Sequence, residues 1–213
     1  YRMKKILFFL FLSLSAFLNA NEKNNKLADL LHSFGNNGEY AQMDSVYNLI
    51  IHEDHYRQDK LYALNITLDY ARFLNQKGDS ERANTLLTQI RENAMALEKF
   101  PENTIAHQLQ EIAAIATYEI AYGQWQNNQL TAARETAEEA VSQLEQGKDS
   151  VNLAEAYNLS GVIHRRLFML DNAISLYQKA LAITEDLQNY NLAAIIVSNI
   201  SILYHETGKN KEA

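Results

Sequence analysis

A recurring step of 40 residues constrains this chain more than any single motif. Short polar turns at Asn36-Asn37-Gly38-Glu39-Tyr40, Lys77-Gly78-Asp79, Asn127-Asn128, Leu170-Asp171 and Thr207-Gly208-Lys209 are each followed by a small or apolar residue. These lead residues are Met43, Ala83, Ala133, Ala173 and Ala213, spaced 40, 50, 40 and 40 apart. A fixed period of this size marks stacked supersecondary units rather than one globular core. Each unit hides its apolar stripe against its neighbours, and such arrays expose long surfaces suited to binding.

The residues between the turns read as helix throughout. A single Pro and seven Gly leave few breaks in 213 residues. Ala, Leu, Glu, Gln and Asn dominate, and no stretch alternates with a period of two. The clearest hairpin runs from 152 to 186. Ala156, Tyr157, Leu159, Ser160, Ile163 and Leu167 line its first helix. Ala173, Leu176, Tyr177, Ala180, Leu181 and Ile183 line its second, at the helical steps of three and four. Gly161 sits mid-helix, where it costs about 1 kcal/mol relative to Ala. A close helix crossing explains it, with Tyr177 filling the space between small residues.

The last hairpin repeats this pattern from Asn191, with Ala194, Val197, Ile200, Ser201 and Tyr204 facing inward and Gly208 as C-cap. Ala213 then takes the place of Ala173, which predicts that the natural protein continues and that this sequence is its front part. The 50-residue step holds the irregular unit. There Ile90–Leu97 continues a helix, Phe100-Pro101-Glu102-Asn103 forms a turn, and Thr104–Trp125 forms one long helix.

Residues 1–20 read as a secretory signal peptide: Arg2, Lys4 and Lys5, then an apolar run Ile6–Leu18, then Ala20. That run is shorter than the ~20 residues a spanning helix needs. Removing it leaves 16 Lys and Arg against 26 Asp and Glu, since three basic residues and no acids are lost. The resulting charge of -10 argues against nucleic acid and against an anionic membrane surface as partners. The chain has no Cys, so neither disulfides nor Cys-based metal or nucleophile chemistry is available.

These residues together resemble the tetratricopeptide repeat. The fullest match is Tyr157, Gly161, Ala173, Tyr177 and Ala180, followed by Ile200, Tyr204, Gly208 and Ala213. Ala133 and Ala140 match in the unit before, with Ala121 at its glycine place. Gly78 and Ala83 match in the second unit, and Gly38, Tyr40 and Tyr47 in the first. The resemblance covers residues 24–213 as about five units, the last incomplete. Its usual unit has about 34 residues, so a spacing of 40 implies longer helix pairs. It implies an all-α, right-handed superhelix of antiparallel helix hairpins whose inner face takes a protein segment or peptide.

Exported arrays of this spacing resemble the sensory front part of membrane-bound signal-transduction proteins of Bacteroidetes type. The expectation is therefore an exported, periplasmic module, anchored to the inner membrane by a segment beyond residue 213. A free-standing periplasmic scaffold and a small-ligand receptor are the alternatives. Neither the ligand nor the oligomeric state is legible.

The family's geometry places the inner face on exposed positions of each first helix. In the third unit these are Ile115, Tyr118, Tyr122, Trp125 and Gln126. The three aromatics share one helical face and can hold a peptide by stacking and hydrogen bonds, or pack against neighbouring helices. In the fourth unit they are Glu155, Asn158, Val162, Arg165 and Arg166, where the two arginines can meet a carboxylate or form local ion pairs. In the second unit they are Leu68, Arg72, Asn75 and Gln76.

His52-Glu53-Asp54-His55 is the single metal-like cluster, and it reads better as a polar loop than as a zinc site. His164 stands where the family packs an aromatic and reads as a buried structural residue. No catalytic motif, cofactor or metal is expected.

Overall fold

The computed structural model describes residues 20–98, 105–147 and 150–208. These form ten helices and, among the described residues, no strand. They are α1 (Ala20–Asn36), α2 (Tyr40–Ile50), α3 (Asp54–Gln58), α4 (Lys60–Lys77) and α5 (Ser80–Glu98). After them come α6 (Ala106–Gln126), α7 (Leu130–Leu144), α8 (Ser150–Arg166), α9 (Leu170–Asp186) and α10 (Tyr190–Glu206). Two compact units divide the chain, Tyr1–Phe73 and Leu74–Ala213, with the boundary inside α4.

The turns carry the repeat. Left-handed backbone ends each first helix, at Gly38, Gly78, Asn128, Phe168 and Gly208, with φ between 59° and 87°, and Gln188, at φ 54°, ends the second helix α9. The turns after the first helices are again spaced 40, 50, 40 and 40 apart. Each ends a helix in the same way. Gly78 N–H donates to Asn75 O at 2.9 Å and Asp79 N–H to Leu74 O at 2.9 Å; Phe168 N–H donates to Arg165 O at 3.0 Å and Met169 N–H to His164 O at 2.9 Å. This paired bonding satisfies the last carbonyls of the helix and needs one left-handed residue, which glycine adopts without strain.

Phe168 is the costly occupant of that position, at φ 59° and 87% exposed. A side chain there costs about 1–2 kcal/mol. Glycine adds unfolded-state entropy that offsets part of the relief. Phe168→Gly is therefore expected to raise stability by about 0.5–1 kcal/mol, read as a higher urea midpoint at unchanged slope. A lower midpoint would show that the exposed ring contributes to the fold.

In the first unit α1 packs on α2. Leu27, Leu31 and Phe34 of α1, Met43, Val46 and Ile50 of α2, and Leu64, Tyr70 and Phe73 of α4 are all buried. Tyr47 stacks on Tyr70 with centroids 3.8 Å apart, and Tyr70 O–H donates to Asp44 Oδ1 at 2.7 Å. Gly35 is required here, because a Cβ would lie 2.6 Å from the Phe73 ring.

In the second unit each helix from α5 to α10 packs on its neighbour in sequence. Ala83, Ala133, Ala140, Ala173 and Ala180 are wholly buried at these crossings, as are Tyr177 and Ile163. Tyr157 and Gly161 are buried with them. First helices also touch first helices: α6 meets α8, and α8 meets α10. Contacts between the second helices α5 and α7, or α7 and α9, are at most marginal. The first helices therefore lie closer together than the second helices, which is the packing of an α-solenoid.

Several expectations need correction. Ile115 and Leu68, expected on an exposed inner face, are buried, as is Asn75. For Asn75 the reason is explicit: its amide donates to Glu119 O at 2.9 Å, so the first helices use that face to join each other. In α10 the buried residues are Leu192, Ile196 and Leu203, while Ala194 and Val197, expected inward, are exposed. Among the described residues no second helix comes after α10, so the face that receives α9 on α8 stays open. Tyr204 is half-buried and Gly208 exposed at the left-handed turn.

The expected inner-membrane anchor needs correction too. No helix among the described residues is long and apolar enough to cross a membrane. Even α6, with 21 residues, carries His107, Glu111 and Glu119, and its apolar side chains face neighbouring helices. Residues 1–19 of the expected signal peptide, the Phe100–Asn103 turn and Ala213 lie outside the described residues.

Candidate functional site

The third-unit aromatics sit at the C-terminal end of α6. Tyr118, Tyr122, Trp125 and, from the turn after α8, Leu167 are partly buried and pack on Ala121, Ala133, Ala137, Leu159 and Ile163. These rings pack on the core and stay partly exposed. Tyr122 and Trp125 lie 5.6 Å apart, tilted by 40°. The Trp125 Nε1–H is buried and has no hydrogen bond among the described residues.

Tyr122, Trp125 and Gln126 line one recess of about 480 Å³ together with Arg166 from α8. Gly78, Ser80 and Asn127 complete it. The left-handed turns before α5 and α7 bring these residues together, because the backbone reverses at Gly78 and Asn128. Ser80 Oγ donates to Gln126 Oε1 at 3.1 Å. Burial, reinforced by the Glu119 carboxylate, pushes the Tyr122 phenol above its ordinary range against an opposing Gln126 hydrogen bond. Tyr122 therefore keeps its proton and remains a donor at neutral pH.

The two arginines separate. Arg166 is exposed and reaches back, its Nη2 donating to Asn128 Oδ1 at 2.8 Å. No carboxylate pairs with it among the described residues. Arg165 reaches forward, its Nη1 donating to Glu206 Oε1 of α10 at 2.5 Å. Burial works against the Arg165 charge, but Glu206 and Tyr177 raise its pKa on balance. Asn158 likewise faces forward, accepting from Asn199 Nδ2 at 2.9 Å. Arg165 and Asn158 are struts between first helices and do not line the recess.

A polar pair at a separation of 41 residues, close to one repeat, was the readable signal for both struts: Asn158 with Asn199, Arg165 with Glu206. Ser80 and Gly78 carried none, since the turn motif alone does not say which helix end it will flank.

The His52–His55 segment does not assemble a metal site. His52 Nδ1–H donates to Asn48 O at 2.6 Å, the His55 ring packs 4.4 Å from Tyr62, and Lys23 holds Glu53 at 2.8 Å. Among the described residues no group of three or more His, Asp or Glu is placed to hold an ion.

The recess offers two aromatic edges, a guanidinium, two free or partly free N–H donors and a hydroxyl. That set suits a planar acceptor group beside an apolar one, as a peptide presents. No protein-family model matches the sequence, and no curated protein matches it.

Proposed function

We propose that the chain is a tetratricopeptide-like repeat module that binds a protein segment or peptide along its first helices. The observation that carries this reading is the convergence of Tyr122, Trp125, Gln126 and Arg166 on one recess. Buried aromatics and arginine are the residues that contribute most to protein interfaces. The right-handed superhelical form is part of the same proposal. It is supported by the evenly placed turns and by first helices that lie closer to one another than second helices do.

Trp125 is the one tryptophan of the chain, so its emission reports this recess without interference. Titrating the protein with a positional-scanning nonapeptide library is expected to give a saturable shift for peptides carrying a carboxylate next to an apolar residue. Arg166→Ala is expected to weaken those peptides about tenfold, the loss of one charge-assisted pair. A flat response across the library, or equal affinity in Arg166→Ala by calorimetry, would remove the recess from the proposal.

A volume of about 480 Å³ also lies in the range of about 300–1,000 Å³ typical of small-molecule sites. A small carboxylate ligand is therefore the second reading. Saturation by free amino acids at the concentrations that peptides require would favour it.

A further inference from the structure

The 50-residue step lengthens one hairpin. Helix α5 has 19 residues and α6 has 21, against 15 in α7 and 17 in α8. The extra length is about one turn in each helix. The last turn of α5, the first turns of α6 and the last turn of α7 border a cavity of about 180 Å³. It lies toward the N-terminal end of α6, whereas the recess at Trp125 lies at the C-terminal end, and the two are independent.

Comparison with the next repeat shows what is unusual here. A step of 40 residues carries Ala113 to Leu153, Gln143 to Ile183 and Glu111 to Val151. Leu153 and Ile183 pack on the core of the next repeat. The earlier repeat holds one small and two polar residues at the same places. Ala113 leaves open the space that a leucine would fill, and with Ala114 and Leu144 it makes an apolar floor. Met95, 49% exposed, adds a flexible apolar side chain.

The polar part of the lining consists mainly of acceptors. Gln143 Nε2–H donates to Glu139 Oε1 at 3.0 Å, which fixes the orientation of the amide. Its Oε1 is buried and has no hydrogen bond among the described residues. Such an oxygen has lost water without gaining a donor, and it needs a reason. Glu111 is half-buried and has no ion pair among the described residues. Glu98 is also half-buried and accepts from Gln110 Nε2–H at 2.6 Å. No Lys or Arg among the described residues lines the cavity.

From this arrangement we propose that the cavity binds a primary alkylammonium group. The three N–H donors of the ammonium match Gln143 Oε1 and the carboxylates of Glu111 and Glu98, and the alkyl stem lies on Ala113, Ala114 and Leu144. A cavity of about 150 Å³ admits benzene, so a stem of about four carbons fits here. A free alkylamine and a lysine side chain both offer this group.

The test uses protein labelled with ¹³C at the methionine methyl groups, with the Met95 signal assigned by Met95→Leu. It is titrated with n-butylamine hydrochloride and, separately, with N-acetyl-lysine methylamide, both charged at neutral pH. A saturable movement of the Met95 signal is expected. Methylamine, which lacks the stem, is expected to bind about tenfold more weakly than butylamine. Glu111→Gln is expected to raise the Kd about tenfold, because it removes the unpaired charge. Gln143→Leu is expected to raise it too, while its urea midpoint stays level or rises because a donorless oxygen is gone. That separates lost binding from lost fold. A response to butylamine alone upholds the site for a free amine. A response to the lysine derivative upholds it for a peptide side chain. No movement with either probe, equal affinity for methylamine and butylamine, or an unchanged Kd in Glu111→Gln overturns the proposal.

Discussion

Tyr177→Ala is expected to destabilise the second unit by about 3–5 kcal/mol, the range for deleting a buried aromatic ring. Tyr177 is 0% exposed at the middle of α9. Its ring belongs to a cluster with Ala154, Tyr157, Leu192, Ile196 and Leu203, drawn from α8, α9 and α10. Removing it opens a cavity where three helices meet. The surrounding small residues, Ala154, Ala173 and Ala180, cannot grow to fill it. The hydroxyl is a lesser matter: it is buried beside the Arg165 guanidinium, near enough for each to bias the other's charge. Tyr177→Phe is accordingly expected to cost about 1 kcal/mol or less. Urea unfolding of both variants checks this. A Tyr177→Ala loss no greater than that of Tyr177→Phe would show that the ring does not lock the pair.

Gly161→Ala gives the second large effect, and its sign carries the information. In an open helix this change stabilises by about 1 kcal/mol. Here a Cβ would lie 2.7, 2.8 and 3.1 Å from Tyr177 Cε1, Cδ1 and Cζ. Those atoms belong to a rigid buried ring, so the two helices must separate. Overpacking of this kind costs about 1–3 kcal/mol. The wild-type background should therefore show destabilisation. In the Tyr177→Ala background the ring is gone, and the same substitution should stabilise by about 1 kcal/mol. A double-mutant cycle measures the reversal. Destabilisation in both backgrounds would place the glycine's role elsewhere than at this crossing.

Much of this was legible because it rests on local chemistry. The step of 40, 50, 40 and 40 residues in the sequence is the step between the left-handed turns that end the first helices. Gly161 with Tyr177 was readable as a close crossing, since a glycine inside a helix needs a reason. The burial of His164 came from the resemblance, which puts a packing aromatic at its place.

The inner face was less legible. Periodicity tells which stripe of a helix meets its own partner, but not which second stripe meets the next first helix. Ile115, Leu68 and Asn75 were assigned to solvent for that reason, and all three are buried. Arg165 and Arg166, adjacent in sequence, point to opposite neighbours through single polar bonds that no period encodes. The exposure of Val197 depends on whether another helix packs over α10, which pattern cannot supply. The anchoring expectation came from the resemblance, joined to the expected signal peptide and the incomplete last unit.

Amide hydrogen exchange on Tyr177→Ala, helix by helix, tests the stacked-pair account of the second unit most directly. In an array held by nearest neighbours, a lesion in α9 is felt where α9 touches and fades along the stack. Protection is expected to fall in α8, α9 and α10 and to persist in α5 and α6. An equal loss of protection in every helix from α5 to α10 would mean one indivisible core, and would contradict the account.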